Sequence, residues 1–159
     1  MGVARIELRV CVLVMAGPRL LVATPRHARH GVGLVLPEVV RNAAETPADA
    51  ACRALWEQVG LFHAGALYPV ATPFRSPRRA PSAPHGDTLH QRWQLFMAPP
   101  PEPLPEGYLH RGLHWRFTQA APGELAPPFA RAVLLAQGRL RASRSFAPRT
   151  RHSSAADAL

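Results

Sequence analysis

Residues 36–61, LPEVVRNAAETPADAACRALWEQVGL, decide the fold of this chain. The second half of the stretch predicts one helix over residues 46–59. Thr46 can cap its first turn, Pro47 fits the first helical position, and Gly60 follows the last periodic residue, where a left-handed terminus needs no Cβ. Apolar residues recur at helical spacing and predict a buried face formed by Ala48, Ala51, Cys52, Leu55 and Val59. Taken alone, the pattern is typical of an ordinary amphipathic helix.

The stretch also resembles the Nudix box, G-x5-E-x7-R-E-u-x-E-E-x-G-u, in which u is an aliphatic residue. This box is the signature of hydrolases that cleave nucleoside diphosphates linked to another group. The positions that match it at the right separations are Glu45, Arg53, Leu55, Glu57, Gly60 and Leu61. The resemblance implies an α/β fold, the Nudix-type α/β/α sandwich with a mixed β-sheet, and it extends over about residues 5–138.

The resemblance implies a divalent metal site, but the sequence departs from the family there. In the family, glutamates on one exposed face of the helix hold magnesium over the pyrophosphate. Ala54 and Gln58 replace two of them and only Glu57 remains, while Val39 replaces the leading glycine and Arg111 stands where some members have another acid. Magnesium needs anionic oxygen ligands, so we predict that Mg²⁺ or Mn²⁺ binds weakly or not at all. Because positions 54 and 58 are expected to lie off the apolar face, glutamates introduced there should fold and restore metal binding.

Three glutamates could rebuild a divalent site, namely Glu38 at the entrance of the box, Glu45 and Glu57. The alternative is that Glu38 is a solvated loop residue, and that Glu45 and Glu57 only pair with Arg53. If hydrolysis survives, the resemblance assigns the catalytic positions to Glu57, Glu45 and Arg53.

Two hypotheses about function remain open. In the first, the protein hydrolyses a nucleoside diphosphate-linked or similar pyrophosphate compound, with metal-dependent activity impaired by the two lost glutamates. In the second, it is a non-catalytic domain that binds a nucleotide-like or phosphorylated small molecule. Arginine binds phosphate without metal, and the candidate contacts are Arg26, Arg29, Arg75 and Arg78. The structural alternative is that these arginines lie in solvated loops, since the proline-rich residues 72–89 predict no regular structure.

The composition limits the remaining possibilities. A net charge of +9 makes nucleic acid a third candidate partner, but all 19 basic residues are arginine, which indicates a GC-rich coding sequence. Residues 141–159 are predicted to be a disordered basic tail after a domain of residues 1–140. No stretch approaches the ~20 apolar residues of a membrane span. Cys11 and Cys52 predict buried, reduced thiols in a cytoplasmic protein.

Outside the box, hydrophobic periodicity predicts the other elements. The predicted strands cover residues 5–14, 20–23, 32–36, 67–71, 90–97 and 113–118. A final helix is predicted over residues 129–137, closed by Gly138.

Overall fold

The computed structural model describes residues 5–25, 33–61, 67–70, 74–79 and 88–144. The strands are β1 (Arg5–Ala16), β2 (Arg19–Thr24), β3 (Glu38–Val40), β4 (Tyr68–Pro69), β5 (Phe74–Arg79), β6 (Thr88–Ala98), β7 (Tyr108–His110) and β8 (Leu113–Thr118). The first helix is α1 (Pro47–Ala54), and it continues directly as a π-helical turn (Leu55–Val59). A 3-10 turn (Pro122–Glu124) precedes the second helix, α2 (Pro127–Arg144). None of the described helices is long and apolar enough to cross a membrane.

The described strands form one mixed sheet in the order β4–β6–β1–β2–β8–β7, with β3 pairing to β1 and β5 to β6. β1 and β6 are parallel along ten paired positions, from Arg5 opposite Leu89 to Val14 opposite Ala98. The other pairings between these strands are antiparallel. β1 therefore lies at the centre of the sheet.

β1 contributes to a hydrophobic core on each face of the sheet. Val10, Val12 and Val14 belong to the cluster that contains the buried residues of α1, whereas Cys11 and Leu13 belong to the cluster that contains those of α2. Side chains alternate across a strand, so a strand covered on both faces has an unbroken apolar run. The two helices thus cover opposite faces of the sheet, and the predicted α/β/α sandwich with a mixed sheet is confirmed.

The proline-rich segment contains a strand that the sequence analysis missed. The prediction that residues 72–89 lack regular structure is wrong for β5 and for the first residues of β6. Pro77 lies in β5, opposite His90 of β6. Proline is tolerated in such an edge strand because its missing N–H can face away from the neighbouring strand.

Further differences from the predictions concern the strand before the box, β7 and the end of α2. The described part of the strand predicted over residues 32–36, residues 33–36, contains isolated bridges at Leu34 and Val35, and the paired strand is β3. β7 was not predicted. α2 continues through Gly138 to Arg144, because glycine permits a left-handed terminus without imposing one, so the predicted helix end is wrong. The domain boundary at residue 140 and the disorder of the tail stay predictions. The rest of the predicted tail, residues 145–159, lies outside the described residues.

Candidate functional site

The helix of the box begins and ends as the sequence predicts. The Thr46 hydroxyl oxygen accepts a hydrogen bond from the Asp49 backbone N–H at 3.1 Å, and the hydroxyl donates to the Asp49 carboxylate at 2.6 Å. Gly60 ends the helix with φ +71°, in the left-handed region. Leu55 is buried, as predicted, and it begins the π-helical turn that the sequence did not reveal.

The buried face of this helix is rotated from the predicted one. Its buried residues are Ala50, Ala51, Ala54, Leu55 and Val59. Ala48 and Cys52 are exposed, so their predicted burial is wrong, whereas the burial of Cys11 is confirmed. Small residues suit either face of a helix, and the alanine-rich first turns therefore left its rotation undetermined. Ala54 is 0% exposed, so the prediction that position 54 lies off the apolar face is also wrong.

Arg53 joins the residues of the box into one network. Its Nε and Nη2 donate to the two carboxylate oxygens of Glu45 at 2.8 and 3.0 Å. Nη2 also donates to the Val40 carbonyl oxygen at 2.7 Å, and Nη1 donates to Glu57 at 3.2 Å. A single guanidinium therefore connects the end of β3, the loop before α1 and the π-helical turn.

The electrostatics of this network stabilise the ionised Glu45. The hydrogen bond from Arg53 lowers the pKa of Glu45 below its usual 4.5, and a bond from the Asn42 backbone N–H adds to the shift. The same bond to Glu45 is the main cause that raises the pKa of Arg53. Only 14% of the Glu45 side chain is exposed, whereas the Glu57 side chain is 36% exposed and so only partly accessible. Glu45 therefore acts as a structural anion that holds Arg53.

Glu38 belongs to a separate polar cluster. It lies in β3 and accepts a hydrogen bond from Arg9 Nη1 at 2.8 Å, so it is not the solvated loop residue of the alternative interpretation. Arg9 also donates to Glu7, which accepts a second bond from the Gln91 amide at 3.1 Å. The Arg9 guanidinium lies over the Trp93 ring, 5.6 Å from the centroid. Glu38 is therefore held by Arg9, while Glu45 and Glu57 are held together by Arg53.

The described residues do not fit a magnesium ion. Among them, no group of three or more His, Cys, Asp or Glu side chains is placed to hold a metal. Ala54 has no donor atom and is buried, and Gln58 offers only a neutral carbonyl. Glu57, the carboxylate that remains on the helix, is bonded to Arg53. The donor set thus lacks the clustered anionic oxygens that this cation needs.

β7 supports the π-helical turn from the side. The Tyr108 hydroxyl donates to the Val59 carbonyl oxygen at 2.8 Å, and His110 Nε2 lies 3.2 Å from the Glu57 carbonyl oxygen. Burial raises the pKa of Tyr108 to about 12. A Cβ on Gly60 would lie 2.8 Å from the His110 ring, so glycine is needed there for space as well as for its positive φ. Arg111 occupies the position at which some Nudix proteins have another acid, and it is an exposed residue of the turn after β7.

A pocket of about 200 Å³ lies beside the box, between β1, β6 and the residue that follows β3. It is lined by Leu8, Arg9, Val10, Arg41, Arg92 and Gln94. No local sequence pattern singles out Arg41 or Arg92. The charge of Arg41 helps to lower the pKa of Glu45, which shows that Arg41 lies near this residue of the box.

The structure describes the strand positions of two of the four arginines that were predicted to contact substrate. Arg75 pairs in register with Arg92 of the pocket, and Arg78 pairs with Leu89 further along the strand. Arg26 and Arg29 lie outside the described residues. Binding of substrate by any of the four therefore stays a prediction, and the register of β5 favours Arg75.

Solved structures with the same fold are known, although no family model and no curated protein matches this chain. A MutT protein from Methanosarcina mazei Go1 is 11% identical, with 89% of this chain and 97% of that chain covered and a TM-score of 0.58. A MutT Nudix hydrolase from Burkholderia pseudomallei is 15% identical, with coverages of 86% and 98% and a TM-score of 0.57. An ADP compounds hydrolase is 17% identical, with coverages of 86% and 74% and a TM-score of 0.59. The chain thus has the fold of the MutT and Nudix hydrolases, which the box predicted.

Proposed function

We propose that this Nudix-fold domain binds a nucleotide-like or phosphorylated small molecule, and that its metal-dependent hydrolysis of diphosphate-linked compounds is weak or absent. The proposal rests on the pairing of the two box carboxylates with Arg53. Glu45 and Glu57 are both bonded to Arg53, while Ala54 is buried and has no donor. The scaffold is retained, but the described residues no longer supply a cluster of metal ligands.

The similar structures support the choice of ligand class. One of them is an ADP compounds hydrolase, so this fold accommodates a molecule that combines a nucleoside with a pyrophosphate. The chain also carries a net charge of +9, which attracts polyanions. Arginine can bind phosphate oxygens directly through its planar fork, without a bridging cation. Binding can therefore persist where the metal ligands have been lost.

Hydrolysis requires more than binding. Cleavage of a phosphoanhydride needs the developing negative charge to be neutralised and a water molecule to be activated, and a bound divalent ion ordinarily does both. Arginines can neutralise charge, but they do not generate a nucleophile. Glu57 is one of the residues to which the resemblance assigns catalysis, and its bond to Arg53 competes with any interaction between its carboxylate and water. Binding with little turnover is the expected result.

Binding and turnover of a nucleotide panel would test this proposal. The panel contains ADP, ATP and a dinucleoside diphosphate, each measured with Mg²⁺, with Mn²⁺ and with EDTA. We expect binding that persists in EDTA and turnover far below the ~10 s⁻¹ of a median enzyme. Metal-dependent turnover near that value, abolished in Glu57→Gln but not in Glu38→Gln, would contradict the loss of hydrolysis. Failure of every nucleotide to bind would contradict the whole proposal.

A further inference from the structure

The pocket beside the box is lined by both apolar and basic residues. Leu8 pairs with Arg92, and Val10 pairs with Gln94, across the parallel strands β1 and β6. Paired residues project to the same face of a sheet, so these four side chains share one face. Val10 places that face on the α1 side, because it belongs to the core cluster of that helix. Arg41 completes the lining, next to the loop that leads into the box.

Two arginines of this pocket form no ion pair with a described residue. The ion pairs found among the described residues involve Arg9 and Arg53, and neither Arg41 nor Arg92 takes part in one. The Arg41 backbone N–H donates to the Leu8 carbonyl oxygen at 2.8 Å, which fixes the residue at the pocket wall. Its side-chain Nε is buried and has no hydrogen-bond partner in the described part of the chain. Buried N–H groups are nearly always paired, so the guanidinium of Arg41 has unused hydrogen-bonding capacity.

We propose that this pocket binds a phosphate or pyrophosphate group without a metal ion, with Arg41 and Arg92 as its cationic contacts and the Gln94 amide as a neutral donor. This inference rests on the proposed function and assigns the part of the ligand that the pocket takes. At about 200 Å³ the pocket is smaller than the ~300–1,000 Å³ of sites that enclose a whole drug-sized molecule. It therefore takes the charged group, and the remainder of the ligand lies outside.

The surroundings strengthen such a contact. Leu8 and Val10 add apolar surface to the lining of the pocket, and a lower local dielectric strengthens the attraction between guanidinium and phosphate. Arg75 is in register with Arg92, which brings a third arginine to the same level of the sheet. Each of these arginines comes from a different segment of the chain.

Titration calorimetry with inorganic pyrophosphate in EDTA tests the assignment. The variants are Arg41→Gln and Arg92→Gln, and the matched control is Arg19→Gln, which removes the same charge from the exposed start of β2. We expect each pocket variant to bind pyrophosphate at least about tenfold more weakly, the effect of losing one charge-assisted contact, while the control changes less than about twofold. Thermal melting of each variant confirms that it is folded.

The outcomes separate this inference from the proposed function. Loss of wild-type binding in EDTA would overturn the inference, as would equal affinities in the pocket variants and the control. Nucleotide binding that is unchanged in Arg41→Gln and Arg92→Gln would retain the proposed function and reject the pocket. Pyrophosphate binding that depends on both arginines, in a protein that binds no nucleotide, would retain the pocket and reject the nucleotide-like ligand of the proposed function.

Discussion

Replacing Ala54 by glutamate tests whether this position can still present a metal ligand. The box pattern places a glutamate here, and the sequence alone predicted that restoring it would be tolerated. Ala54 is instead 0% exposed, in the buried cluster that also contains Val10 and Leu55. A glutamate at position 54 must therefore enter the core between α1 and the sheet, and we expect Ala54→Glu to be strongly destabilising.

The magnitude follows from the cost of ionising a buried carboxyl. Burial can raise the pKa of a glutamate by up to ~3–5 units, so it stays neutral in the folded protein near pH 7. The unfolded state ionises above about pH 4.3, and that difference at pH 7 costs about 4 kcal/mol of unfolding free energy. Overpacking of the core adds about 1–3 kcal/mol. The total approaches the ~5–15 kcal/mol by which whole domains are stable.

Urea denaturation at pH 7 and pH 4.5 measures this cost, with Ala48→Glu as the control on an exposed position of the same helix. Since the folded-state pKa is raised, the deficit of Ala54→Glu should be smaller at pH 4.5 and should grow as the pH rises. Ala48→Glu should stay within about 0.5 kcal/mol of the wild type at both pH values. Equal urea midpoints for the two variants at pH 7 would show that the introduced side chain reaches solvent, and would refute the argument from burial.

Three further changes test other parts of the structure. Glu45→Gln removes an ionised partner of Arg53. Because the pKa of Glu45 is lowered in the folded protein, the stabilisation by its carboxylate is full above pH 4.5 and is lost as the pH falls through the folded-state pKa. The urea midpoints of wild type and this variant should thus differ at pH 7 and converge in acid, and coincidence at pH 7 would contradict the role of the pair. Tyr108→Phe should lower the unfolding free energy by about 1 kcal/mol through loss of the bond to Val59, and an unchanged urea midpoint would show that the bond contributes nothing. Gly138→Ala should stabilise α2 by up to about 1 kcal/mol, because the position is helical and open; a lower melting temperature would instead indicate that the helix ends there.

Local signals in the sequence predicted the helix of the box, and the resemblance to the Nudix box predicted the layers of the fold. The cap at Thr46 and the glycine at Gly60 are single residues with strong conformational preferences, and both ends of the helix follow them. The rotation of the helix was not predictable in the same way, because alanines dominate its first turns and carry little preference between core and solvent. β5 escaped prediction because proline usually excludes a strand, and only its place beside β6 allows Pro77 there.

The site was less predictable than the fold. Pairing of Arg53 with Glu45 and Glu57 was one of the two alternatives that the sequence left open, and the structure shows both ion pairs. The pocket that contains Arg41 and Arg92 was not predicted, because its position depends on the order of the strands in the sheet. Strand order is a property of the whole sheet, and no local pattern of residues encodes it.

The parallel pairing of β1 with β6 has a consequence for the synthesis of the chain. β1 emerges from the ribosome before β6, and the two strands pair across a separation of 84 residues, as in the bond between Gln91 and Glu7. Until residues 88–98 arrive, the strand made of residues 5–16 can pair only with β2 and β3, and much of one edge stays open. Contacts this distant in sequence form slowly, and an open apolar edge can pair with a neighbouring chain. The unfinished polypeptide, rather than the folded domain, is therefore the species most prone to aggregate.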